Sequence, residues 1–127
     1  MLRVLTATGL TASAYLAQPN VGYKWRILSA QIELTTGTGT GSRSANLNVV
    51  GNGSLFNYPL LAAVSSSTAS AVYGGTGGTA GALSGDTNTT WYNFPEIRAA
   101  DQVECIVSLV SGDTVAYYVL VDEVLDE

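Results

Sequence analysis

The run Val103-Glu104-Cys105-Ile106-Val107-Ser108-Leu109, the turn Ser111-Gly112-Asp113-Thr114 and the return Val115-Ala116-Tyr117-Tyr118-Val119-Leu120-Val121 decide the fold class of this chain. Val103, Cys105, Val107 and Leu109 fall on one face of the outgoing run, and Gln102, Glu104 and Ser108 fall on the other. That period of two is the pattern of a half-buried β-strand. The alternation places Cys105 on the buried face, as a small core hydrophobe. The return strand puts Val115, Tyr117, Val119 and Val121 on one side and Ala116, Tyr118 and Leu120, also apolar, on the other. A strand apolar on both sides is covered on both sides. One cover is an opposing sheet, and the other is either the N-terminal segment or a second subunit.

The same alternation recurs upstream. In residues 24–36, Ala30, Ile32 and Leu34 face one way and Gln31, Glu33 and Thr35 the other. Trp25 and Ile27 fall on the opposite phase, so either a bulge near Ile27-Leu28 reconciles them or the start of the strand is covered on both faces. A glycine-rich hairpin loop, residues 37–42, leads to a strand over residues 43–50 with Ala45, Leu47 and Val49 inward. Gly51-Asn52-Gly53-Ser54 is a strong turn. Pro59 bars residues 55–64 from a central strand position, which leaves an edge or a crossover. Residues 67–74 read as a strand. Residues 75–86 read as a glycine-rich loop, whose length calls for a partner or for disorder. Residues 89–94 read as an aromatic-bearing segment stopped by Pro95, and Leu2 to Thr6 adds a first strand. No stretch carries a sustained helical period with a cap. The reading is an all-β, single-domain antiparallel β-sandwich of jelly-roll type, with residues 1–22 as an N-terminal strand or arm and residues 23–127 as the sandwich. An immunoglobulin-like sandwich fits less well, because Cys105 has no partner cysteine.

The composition of the 127 residues excludes several functions. Charged residues make up 12%, about half of the roughly 25% usual in soluble domains. Hydrophobic residues make up 46%, which rules against charge-driven disorder. Five cations against ten acids, for a net charge of -5, cannot neutralise much phosphate, so no nucleic-acid partner is expected. The absence of histidine removes the commonest general base and the commonest neutral metal ligand. No apolar run approaches the roughly 20 residues of a membrane helix, so no membrane partner is expected. The N-terminal stretch, broken by Thr6, Thr8, Gly9 and Thr11, does not read as a signal peptide.

The chemical motifs are thin. Asn52-Gly53-Ser54 and Asn88-Thr89-Thr90 match the glycosylation pattern, but a Ser/Thr-rich chain gives such matches freely. Asp86, Asp101 and Asp113 could converge at one end of a sandwich, yet a calcium site needs about six oxygen ligands. Asp122 and Glu123 are adjacent on a strand, point to opposite faces and cannot flank one bond. The glycines of residues 74–85 have no following helix and no lysine with which to hold a phosphate. No enzyme activity, no cofactor and no metal are therefore expected. The candidate contact residues are two aromatic clusters. One is Trp91, Tyr92 and Phe94, a protein anchor or a platform for a glycan ring. The other is Tyr23 and Trp25 with Tyr15, next to Lys24 and Arg26. Four of the five cations precede residue 44 and the C-terminal end is acidic, which suggests pairing of opposite charges between copies.

The stretches Gly22-Tyr23-Lys24-Trp25-Arg26-Ile27-Leu28-Ser29-Ala30, Ile32-Glu33-Leu34-Thr35, Arg43-Ser44-Ala45-Asn46-Leu47-Asn48-Val49 and Tyr117-Tyr118-Val119-Leu120-Val121-Asp122-Glu123 resemble the strand layout of small β-sandwich structural proteins of tailed bacteriophages, among them head decoration or cement proteins. The resemblance implies a homo-oligomer, a trimer for preference, made in the host cytoplasm and carried on the capsid surface of the virion. It also implies that the protein binds capsid protein and stabilises the shell without catalysis. A fibre or collar component and a carbohydrate-binding module are the alternative readings.

Overall fold

In the computed structural model, residues 1–37, 39, 41–51, 54–65, 70–76, 86–90, 94 and 96–126 are described. Their secondary structure is all β. The strands are β1 (Leu2–Leu10), β2 (Ala14–Ala17), β3 (Tyr23–Thr36), β4 (Ser42–Gly51), β5 (Ser54–Ser65), β6 (Ser70–Thr76), β7 (Asp86–Thr90), β8 (Ile97–Arg98), β9 (Gln102–Ser108) and β10 (Thr114–Leu125). One sheet runs β1-β10-β3-β6-β7, with β8 beside the start of β3, and the other runs β2-β9-β4-β5. Without the additions β7 and β8, each sheet has four strands, and the chain passes between sheets in the order of a jelly roll. Pairing is antiparallel throughout except between β6 and β7, which run parallel.

The period-two patterns become the two inner faces. Ala30, Ile32, Leu34, Val115, Tyr117, Val119 and Val121 of one sheet meet Ala45, Leu47, Val49, Val103 and Cys105 of the other, all buried. Fully burying each Leu, Ile or Val side chain is worth about 1.5–3 kcal/mol. A one-residue slip would turn the whole set outward, so the register is strongly fixed. The bulge is present: Leu120 pairs with Ser29 and Val121 with Ile27, which leaves Leu28 as the extra residue. That extra residue switches the phase of β3, so Trp25 and Ile27 point inward like Ala30 and Ile32. β5 is an edge strand, with Pro59 opposite Asn46 where the register shifts. This agrees with the sequence reading.

Of the strand or arm expected over residues 1–22, the structure shows strands. β1 and β2 are edge strands of different sheets, and Leu5 packs into the core. β1 lies beside β10 in the ladder, from Leu2 opposite Asp122 to Leu10 opposite Val115, so it extends the sheet and does not cover β10's outer face. Of the glycine-rich stretch, residues 74–76 belong to β6 and Asp86 opens β7. Residues 77–85 lie outside the described residues.

Candidate functional site

Among the described residues, the aromatic side chains singled out in the sequence do not form one surface. Trp25 is 1% exposed. The start of β3 is flanked by β8, with Trp25 opposite Ile97, and by β10, with Trp25 opposite Glu123, so its ring turns into the core. Trp25 Nε1 donates to Glu123 Oε2 at 2.8 Å. Arg3 donates to the same oxygen at 2.8 Å and lies over the indole, 5.6 Å from its centroid. Trp25 is thus a clamp between β1, β3 and β10, not a surface anchor. The indole bond and the Arg3 charge hold the Glu123 carboxyl below its usual range, against the pull of burial. Phe94 is also turned inward, tilted against Tyr58 with ring centroids 4.5 Å apart. Tyr23 and Arg26 are exposed at the start of β3. Trp91 and Tyr92 lie outside the described residues. Tyr15 sits on β2 in the other sheet, where its hydroxyl donates to Gln18 at 3.2 Å.

The opposite charges that suggested contacts between copies meet largely within one chain. Arg3 pairs with Glu123 at 2.8 Å, Lys24 with Glu96 at 3.0 Å, and Arg98 with Asp126 at 3.7 Å. Arg43 Nε meets Asp113 Oδ2 at 2.5 Å with both side chains fully buried. Asp113 also accepts from the backbone N–H of Gly37 at 2.7 Å and of Val110 at 2.8 Å. Arg43 donates to the Gly39 and Gly41 carbonyls. Burial raises the Asp113 carboxyl, but Arg43 and the two backbone donors outweigh it and hold the group below its usual range. This clasp ties the β3–β4 loop to the β9–β10 turn. The sequence reading missed it, although a signal was present. Arg43 shares the inward parity of Ala45, Leu47 and Val49, and Asp113 shares that of Val115 to Val121.

Asp113 and Asp101 do not converge. Asp113 meets Arg43 near the first residue of β4, whereas Asp101 lies against Gly51 at the last. About 3.3 Å per residue puts these two sites at opposite ends of the sandwich. Asp101 accepts from the Arg98 N–H at 3.0 Å. The Asp86 side chain is outside the described set. No group of three or more metal-ligating side chains occurs among the described residues. A shallow cavity of about 380 Å³ lies at the Asp113 end, lined by Thr11, Leu109, Ser111 and Thr114 among others. Burial pushes the Cys105 thiol up to about 12, which keeps it in the protonated, less reactive form at neutral pH. Among the described residues no helix is long and apolar enough to cross a membrane.

What the structure does present is an apolar outer sheet face. Leu2, Val4 and Thr6 of β1 lie opposite Asp122, Leu120 and Tyr118 of β10, on the side away from the core. Leu120 and Tyr118 in turn lie opposite Ser29 and Gln31 of β3, and the bulged Leu28 adds an exposed side chain beside them. Comparison with protein families, with curated proteins and with solved structures finds no match for this chain.

Proposed function

We propose that this chain is a structural protein of a tailed-bacteriophage particle, a homo-oligomeric jelly roll that decorates the head shell and stabilises it by protein–protein contacts. The observation that carries the reading is the division of labour on the surface. Arg3, Lys24, Arg43 and Arg98 are taken up in ion pairs within the chain, while Leu2, Val4, Leu28, Phe56 and Tyr118 stand exposed. Exposed apolar surface, with four of the five cations paired within the chain, suits a molecule that is covered by neighbours. Many copies on one particle add avidity, so each contact can be modest. The strand layout that resembles phage decoration proteins points the same way. Of the glycan platform Trp91, Tyr92 and Phe94, Phe94 packs against the core beside Tyr58.

The test is addition of the purified protein to capsid shells that lack it. Co-sedimentation with shells, and a raised temperature of shell disruption, is the expected result. Shells that neither retain the protein nor gain heat resistance would refute the reading.

A further inference from the structure

We infer that the outer face of β1, β10 and β3 is a two-fold interface between two copies of this chain. Leu2 is 62% exposed, Val4 61%, Leu28 42% and Tyr118 40%, and with Leu120 they form one contiguous patch across three neighbouring strands. A strand apolar on both sides needs two covers. The opposing sheet supplies one, through Val115, Tyr117, Val119 and Val121. The N-terminal segment does not supply the other, because β1 lies in the plane of the sheet and adds Leu2 and Val4 to the uncovered patch.

The charges on this face select a second copy as the occupant. Arg26 makes no ion pair among the described residues, and neither does Glu33. Both are on β3, and both point outward, since Trp25, Ile27, Ile32 and Leu34 point inward. Arg26 shares its cross-strand row with Asp122 and Glu33 shares its row with Ala116, while Leu120 and Tyr118 occupy the two rows between. A two-fold axis in the plane of the interface, perpendicular to the strands and level with the gap between Leu120 and Tyr118, reverses the order of these rows. It lays β3 antiparallel over the second copy's β3. Arg26 of each copy then faces Glu33 of the other, and in the two rows between these pairs Leu120 faces Tyr118 and Val4 faces Thr6. This is the aligned stacking of two sheets, about 10 Å apart, and it is isologous, as a two-fold contact must be. It makes the homo-oligomer even-numbered, where the resemblance implies a trimer. It stands on the sheet geometry and not on the particle reading.

Sedimentation of the full chain tests it. The expected mass is twice the 13.2 kDa of one chain. Arg26→Glu and Glu33→Arg each weaken self-association about tenfold or more, because each sets like charges opposite one another. The two together restore it, since the pairs re-form with signs exchanged. Val4→Asp and Tyr118→Lys give a single-chain species whose circular dichroism is unchanged, because both sites are exposed, and which melts at a temperature independent of protein concentration. A single-chain mass at every concentration would overturn the inference. So would self-association indifferent to Val4→Asp and Tyr118→Lys, or a double charge reversal that binds no better than the single ones. Shell binding is read separately, so either proposal can fail without the other.

Discussion

Arg43 Nε donates to Asp113 Oδ2 at 2.5 Å with both side chains at zero exposure, and the pair joins two loops that are 70 residues apart in the chain. A buried ion pair is weak support for stability compared with an apolar pair, but breaking it by removing one partner leaves an uncompensated charge. Here the same two side chains also bond to Gly37, Val110, Gly39 and Gly41. Asp113→Asn keeps an acceptor and loses the charge, so it should cost about 3–5 kcal/mol. A fall in the urea midpoint with an unchanged denaturant slope is the expected result. A variant as stable as the parent would show that the pair carries no such load.

Acid should act through the same carboxyl and through Glu123. Both are held below their usual range in the folded chain, whereas the unfolded values are about 3.9 for Asp and 4.3 for Glu. A depressed folded value means that the unfolded state takes up protons first. The stabilisation is therefore complete above the unfolded values and is lost as pH falls through the folded ones. Melting temperature should be level from neutrality to about pH 5 and should decline below about pH 4. Asp113→Asn should make that decline shallower. An equally steep fall in the variant would place the acid sensitivity elsewhere.

The hydroxyl of Tyr117 crosses the sandwich from β10 to the β4 carbonyl of Asn46 at 2.7 Å, within a fully buried side chain. Tyr117→Phe preserves the packing and leaves a buried carbonyl short of its donor. The expected cost is about 1–3 kcal/mol. Differential unfolding of the two proteins in urea reads it directly, and a difference near zero would mean that the carbonyl has another partner.

The sandwich was legible because its long strands obey a strict alternation. β3, β4, β9 and β10 came from parity alone, and the conflict between Trp25 and Ala30 left a bulge as one of two readings. Pro59 left β5 an edge or a crossover, and it is an edge. What parity cannot show is which element lies alongside. β2 is four residues without a clear alternation, β8 is two residues, and β7 pairs parallel to β6. The placement of β8 beside β3 is what buries Trp25, so its neighbours Lys24 and Arg26 made it look like a surface residue. The partners of the cations were hidden for the same reason: Arg3 and Glu123 are 120 residues apart and meet only because β1 pairs with β10.

Cys105 gives a probe of the core itself. It is fully buried between Ala14 of β2 and Leu47 of β4, and burial alone pushes its thiol up to about 12. The thiolate is the reactive form, so a thiol reagent at pH 8 should label the folded protein only as fast as the sandwich opens. Addition of urea past the midpoint should make labelling immediate. The raised value also sets the alkaline limit of stability. An unfolded cysteine ionises near about 8.5, so the folded state holds the proton more tightly and its advantage is complete below that pH. The advantage is then lost as pH rises towards the folded value. Tyr117, raised by burial and by the neighbouring Cys105, adds a second loss that starts near the ordinary tyrosine value of about 10. Cys105→Ala should therefore delay the onset of alkaline destabilisation from about pH 8.5 to about pH 10, while lowering the neutral-pH stability through the small cavity it leaves. Prompt labelling of the native protein, or an alkaline limb that begins at the same pH in the variant, would show that the two sheets do not close over this thiol.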